Sequence, residues 1–376
     1  MILFMLYLDN SATTQILPEV KEAMLPFLFE QFGNPSSKYY DQATTAKEAV
    51  TQARQSVAQL LHCKDSEVIF TSGSTESNNM FIKGVAHQYK SKGKHLITTE
   101  VEHPSVLECF KFLEKEGFEI TILKPDQYGR ISVEQLKAAL RSDTIFVSIM
   151  WGNNEVGSLN PIYELSSLCK SKDILFHTDA TQVVGKIQVD LSNNPGISFL
   201  SCSAHKFHGP KGIGVAFIRS DEYGILTPIT PLLHGGGQEN DIRSGTLALH
   251  NIVGIGAAAK IAFENLENHQ QQLHYCEDLL VDLLKSKFKQ NIRFNNDFQN
   301  KIPGILSVEF IGINNEILLK KLAPYIAAST GSACSSSKPS HVLSAMGLSL
   351  ESIRSTVRFS LSPYITPEDL EIFKSL

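Results

Sequence analysis

Short runs rich in β-branched and aromatic residues punctuate the chain at 68–71, 95–99, 119–123, 144–150, 174–177, 197–200 and 213–218. Between several of them lie stretches with apolar residues at helical spacing, such as 133–141 and 162–171. Strand–helix alternation with few polar residues inside the strands predicts a mainly parallel sheet covered by helices on both faces. We assign 15–255 to this large α/β domain. Residues 257–289 contain no Gly or Pro and carry Ile261, Leu266, Leu273, Leu280, Leu284 and Phe288 at helical spacing. This predicts one long connecting helix. Beyond it, strands at 304–310 and 357–361 with a helix at 316–321 predict a small α+β domain made of 256–376, with 1–14 packed onto it.

The length of 376 residues is enough to bury a large core. Hydrophobic residues make up 42% and charged residues 19%, an ordinary globular composition rather than a disordered one. Lys and Arg number 34 against 39 Asp and Glu, a formal charge of −5 that offers no footprint for direct nucleic-acid binding. No apolar run approaches the ~18 residues of a membrane span. The apolar start at 1–8 has no basic region and runs into Asp9. It reads as a first strand, preceded by a short leader if Met5 is the true start, rather than a signal peptide, and the expected location is cytoplasmic. Six scattered cysteines with no C-x-x-C pair predict neither a disulfide framework nor a metal site.

Three segments carry candidate chemistry. In Phe70-Thr-Ser-Gly-Ser-Thr-Glu-Ser-Asn78 a strand gives way to a glycine and a helix opening on Ser74 and Thr75. Exposed N–H groups and hydroxyls there suit a phosphate, and the same residues also read as an ordinary N-cap. Asp179 follows a parallel strand, where α/β sheets bind ligands. It could hold a heteroaromatic nitrogen protonated, or it could cap a following helix. Lys206, in Ser201-Cys-Ser-Ala-His-Lys-Phe-His-Gly-Pro-Lys-Gly212, is enclosed by small residues, an imidazole and a glycine-rich turn. That setting favours a nucleophilic amine over a surface lysine. An anion cradle, a strand-end acid and a Schiff-base lysine together are what pyridoxal 5'-phosphate (PLP) requires.

The motifs Tyr7-Leu-Asp-Asn-Ser-Ala-Thr-Thr14, Phe32-Gly-Asn-Pro-Ser-Ser37, Glu102-His-Pro-Ser105, Asn153-Asn-Glu-Val-Gly157, Thr178-Asp-Ala-Thr-Gln182, Ser203-Ala-His-Lys206, His234-Gly-Gly-Gly-Gln238, Arg243-Ser-Gly-Thr246, Gly331-Ser-Ala-Cys334 and Val357-Arg-Phe-Ser360 follow one another in order. With them the whole chain resembles the cysteine desulfurases of the class V aminotransferase family. The resemblance implies the PLP-dependent transferase fold (aspartate aminotransferase-like, fold type I). It implies that Lys206 forms the Schiff base, Asp179 pairs with the pyridine nitrogen, Gln182 bonds the phenolic oxygen and His103 stacks on the ring. Thr75, Ser203 and His205, with Ser74, would hold the phosphate. Thr246 would reach the phosphate of a partner subunit, which implies a homodimer. Arg358, Asn154 and Asn34 would bind the substrate α-carboxylate. Arginine suits this through its two-pronged donors, although a strand-end salt bridge is the alternative for Arg358.

Cys334 lies in Thr330-Gly-Ser-Ala-Cys-Ser-Ser-Ser-Lys338, a small-residue stretch that predicts an exposed thiol on a mobile loop. The resemblance makes it the nucleophile that takes sulfur from L-cysteine. The products would be L-alanine and a Cys334 persulfide, passed to a sulfur-acceptor protein for iron–sulfur cluster assembly or for tRNA or DNA thio-modification. Lys206 would remove the Cα proton, with His103 as a proton carrier. Three features depart from the family: Lys38 where a histidine is usual, a shorter stretch after Cys334, and an end soon after Leu370. Selenocysteine lyase, another class V enzyme, and a catalytically silent partner-binding subunit are the alternative readings. The run 252–259 fits a G-x-G-x-x-A dinucleotide fingerprint but lacks a convincing strand before it.

Overall fold

The computed structural model describes residues 5–331 and 339–375. Its strands are β1 (Leu6–Tyr7), β2 (Val68–Thr71), β3 (His95–Thr99), β4 (Glu119–Leu123), β5 (Thr144–Ser148), β6 (Leu175–Asp179), β7 (Phe199–Ser203), β8 (Gly214–Ile218), β9 (Ile292–Phe294), β10 (Ile305–Phe310), β11 (Ile326–Ala327) and β12 (Thr356–Ser360). Seven form one sheet in the order β2-β8-β7-β6-β5-β3-β4. Only β8 runs against its neighbours. The C-terminal ends of the other six strands therefore share one edge.

Side-chain alternation divides the sheet's two faces. Val68 and Phe70 pack with Val147, Phe176 and Val215 beneath the helices Asp41–Leu61 and Leu249–Glu264. Ile69 points the other way, toward Phe81, Phe110, Phe146 and Phe199 under the helices Ser74–Tyr89 and Pro104–Lys115. Burial on both faces explains the nearly unbroken apolar character of the central strands. The edge strand β4 is the one left partly exposed.

A second core lies on the antiparallel sheet β12-β10-β9, covered by the helix Leu266–Phe288. Leu8 joins this core, and β1 pairs with β11 in parallel. The single helix expected over 257–289 is two, Leu249–Glu264 and Leu266–Phe288, broken at Asn265. The physical reason is that the two halves serve different cores. Ile255, Ala258 and Ala262 pack on the large sheet, whereas Leu273, Leu280 and Leu284 pack on the small one. The 252–259 run sits wholly inside the first of these helices, and Gly256 lets it press against Ala53. That is a helix-packing glycine, not a nucleotide turn. Among the described residues, no helix is long and apolar enough to cross a membrane.

Candidate active site

The shared C-terminal edge of the parallel strands gathers the candidate chemistry, as open α/β sheets do with their ligands. β2 leads through Ser72 and Gly73 into the helix Ser74–Tyr89. Gly73 has φ +154°, and a Cβ built on Gly214 of β8 would stand 2.6 Å from the Cα of Gly73. Two glycines thus let the loop lie directly on the strand beside it. The helix has no side-chain cap: Gly73 occupies the N-cap position, and Ser74 and Thr75 lie in the first turn. Its first turn borders a cleft of about 400 Å³ lined by Ser74, Thr75, Glu76, Ser203, His205 and Lys211, with the Glu76 carboxylate held by Arg243 at 2.7 Å. This donor set fits a phosphate. Lys211 is a lining cation that the sequence reading did not select. His205 is pushed down to about 4 by burial and by the cations of Lys206, Lys211 and Lys186, which favours the neutral ring.

β7 ends at Ser203 and tightens into a 3₁₀ turn, Ala204–Lys206. The half-buried Lys206 amine donates to the carbonyls of Ser11 and Ala12 at 2.6 and 2.7 Å. At the end of β6, the buried Asp179 carboxylate accepts from Thr181 N at 3.0 Å and from Asn78 Nδ2 at 2.8 Å. A turn rather than a helix follows it, so the capping alternative reduces to that one backbone bond. Gln182 is buried, with Nε2 donating to Ser11 O at 2.9 Å and Oε1 accepting from Lys186 Nζ at 3.0 Å. Lys186 is pushed down to about 7 by burial and by the cations of Lys206 and Arg358.

β3 leads to Glu102 and His103. His103 sits at the N-cap of the helix Pro104–Lys115, where its Nδ1 accepts from Ser105 N at 3.1 Å. Burial holds its pKa below the ordinary value, opposed by the charge of Asp179 and reinforced by Lys206 and His341. Glu102 is fully buried and pushed up to about 8, mainly by desolvation.

Arg358 is also fully buried. Its Nη2 donates to Asp9 Oδ1 at 2.6 Å and to Ser329 Oγ at 3.0 Å, and its Nη1 to the carbonyls of Asn154 and Gly331 at 2.8 and 3.3 Å. The structure shows the salt-bridge alternative: the arginine expected to bind substrate is engaged in an ion pair with Asp9. Asp9 is the partner that sequence reasoning missed. Asn34 stands exposed in a turn, where its side chain accepts from Ser36 N. Among the described residues it makes no hydrogen bond to the pocket. Thr246 is exposed on the loop beyond Arg243, away from the cleft lining. Cys334 lies outside the described residues, as do Lys338 and the intervening serines.

The class-V aminotransferase family model matches residues 6–373. Among curated proteins, cysteine desulfurase IscS of Dictyoglomus turgidum is 46% identical over 367 residues, covering 97% of this chain and 91% of its own. A NifS-like protein of known structure superposes with a TM-score of 0.91 at 36% identity, covering 99% of this chain and 98% of its own. A structure described as SspA in complex with cysteine superposes at 0.83, also 36% identical, covering 96% of this chain and 99% of its own. Such near-complete coverage at this identity, on the observed sheet order, leads to one conclusion: the chain belongs to the class-V aminotransferase family, in its cysteine desulfurase branch.

Proposed function

We propose that the cleft at the strand ends holds PLP and that the chain uses it to convert L-cysteine to L-alanine, lodging the sulfur on Cys334. The supporting observation is the convergence of three chemistries on one sheet edge: the Lys206 amine, the Asp179 carboxylate and the uncapped helix end with Lys211. The donor set fits the group from end to end. Ser74, Thr75, Ser203 and His205, together with Lys211, would take the phosphate. Asp179 would take the ring nitrogen, and one hydrogen of Gln182 Nε2 remains to serve the phenolic oxygen. When bound, PLP supplies an aldehyde and an electron sink that weaken bonds at the substrate's Cα and Cβ.

The protein's own residues do the rest. Lys206, close to the cation of Lys186, would give up and take back a proton at Nζ. Arg358, flanked by Asn154, would receive the α-carboxylate in the position that Asp9 now shares. Asn34 can join them only by movement of its exposed turn. Cys334 would attack the substrate sulfur as a thiolate, forming an S–S bond as the substrate's Cβ–S bond breaks; the electron pair left on the carbon side would be protonated to give alanine, and the persulfide would pass to an acceptor protein. Exposure of Thr246 supports a homodimer in which each subunit completes the other's phosphate site. The described cysteines Cys63, Cys109, Cys169, Cys202 and Cys276 are unbridged, which favours a reducing, cytoplasmic setting.

Borohydride reduction followed by peptide mapping tests the cofactor assignment. A pyridoxyl group fixed on Lys206 is the expected result, and a label on another lysine, or none, refutes it.

A further inference from the structure

Behind the pocket a chain of hydrogen bonds joins two residues with separate expected duties. Asn78 Nδ2 lies 2.8 Å from Asp179 Oδ2 and 2.9 Å from Ser105 Oγ. Ser105 Oγ in turn lies 2.8 Å from His103 Nδ1. Asn78 is on the helix Ser74–Tyr89, Ser105 in the first turn of Pro104–Lys115, and Asp179 at the end of β6. Three elements therefore meet in one network.

The direction of every bond in it follows from donor chemistry. A carboxylate only accepts, so the Asn78 amide must turn its nitrogen, not its oxygen, toward Asp179. That nitrogen has two hydrogens, and the second goes to Ser105 Oγ. The serine hydroxyl then has its own hydrogen to give to His103. At His103 the backbone N–H of Ser105, which can only donate, already points at Nδ1 from 3.1 Å. Two donors aimed at Nδ1 leave the ring's proton on Nε2. The price is visible at Asn78 Oδ1, a buried acceptor with no partner among the described residues. Uncompensated buried acceptors are rare and call for an explanation. Here the explanation is that Asp179 and Ser105 fix the amide's orientation through its nitrogen, which leaves the oxygen where no described donor stands.

We infer that Asn78 and Ser105 are positioning residues that lock His103 as a neutral Nε2–H donor and tie its ring to the carboxylate serving the cofactor nitrogen. His103 then offers the substrate a hydrogen bond at Nε2. Taking up a proton there would require a tautomer change against two donors. The proton-carrier duty suggested for His103 by resemblance thus falls to Lys206, and His103 orients and stabilises. The inference rests on the PLP reading for its meaning, but its test does not require the cofactor.

Long-range proton–nitrogen NMR on the full chain, ¹⁵N-labelled at histidine and stripped of cofactor, reads the tautomer directly, with the His103 signals assigned by their loss in His103→Gln. The wild-type ring should carry its proton on Nε2. Ser105→Ala removes one donor and should lower the Nε2–H to Nδ1–H ratio about fivefold, the effect of a single hydrogen bond. Ser105→Thr, which keeps the hydroxyl, should restore it, and Asn78→Ala should move the ratio in the same direction as Ser105→Ala. A wild-type proton on Nδ1, or a Ser105→Ala ratio equal to wild type, overturns the inference. A chain that took up no PLP would instead refute the proposed function and leave the tautomer result standing.

Discussion

Replacing Asp9 by alanine isolates the energetics of the buried Arg358 ion pair. Arg358 is 1% exposed, and its shortest contact is the 2.6 Å bond to Asp9 Oδ1. Removing one partner of a buried ion pair costs about 3–5 kcal/mol, because the remaining charge stays in a poorly solvating site. Three features place Asp9→Ala near the lower limit. The Asp9 side chain is 20% exposed, Ser329 still accepts from Nη2, and the carbonyls of Asn154 and Gly331 still accept from Nη1. The expected loss is about 3 kcal/mol, with Asp9→Asn milder because it keeps an acceptor. Urea unfolding measures it as a lower midpoint at unchanged slope. The same variant also tests the role of Arg358. If its guanidinium is the carboxylate site, L-alanine should bind Asp9→Ala more tightly than wild type. Near 100 times its Kd, alanine should then return about 2.7 kcal/mol. A variant within about 1 kcal/mol of wild type, far below the cost of exposing a buried charge, would refute the reasoning. So would an alanine affinity equal to wild type.

Glu102 gives a pH signature. Its folded pKa is raised to about 8 from 4.5. Between those values the native state holds a proton that the unfolded state has released, so this carboxyl's contribution falls as pH rises through the window and is lost above about 8. Glu102→Gln should therefore lose less stability than wild type between pH 5 and pH 8; an identical slope in denaturant titrations would contradict the assignment. Gly214→Ala drives a Cβ to 2.6 Å from Gly73 Cα and 2.7 Å from Cys202 O. Overpacking of this kind costs about 1–3 kcal/mol. The displaced loop is the proposed anion cradle, so PLP retention should fall as well, and equilibrium dialysis showing wild-type retention would separate that loop from the phosphate site.

The seven strands of the large sheet and their order along the chain were legible in the sequence because doubly buried strands are short, apolar and bounded by turns, whereas the short β9 and β11 of the smaller sheets were not. Lys206, Asp179 and the Ser74–Thr75 helix start were legible because each stands at a strand-to-loop junction, where local residue types report local chemistry. The break at Asn265 was not. No Gly or Pro marks it, and it arises because Ala262 and Leu273 answer to different hydrophobic cores. Asp9, Asn78 and Ser105 were also missed as partners. Asp9 lies 349 positions from Arg358, and Asn78 lies 101 from Asp179. No periodicity within a segment can encode such pairings. Lys211 was overlooked for a milder reason: a lysine in a Gly-Pro-Lys-Gly turn looks like any solvated cation until the cleft is seen beside it.

The account turns on one sulfur atom. Mass spectrometry of the PLP-loaded protein after brief exposure to L-cysteine, followed by peptide mapping, reads it directly. One added, thiol-reducible sulfur on the peptide containing Cys334 is predicted, absent from Cys334→Ser and from Lys206→Ala. Sulfur carried on another cysteine, or alanine produced at the wild-type rate by Cys334→Ser, would contradict the claim.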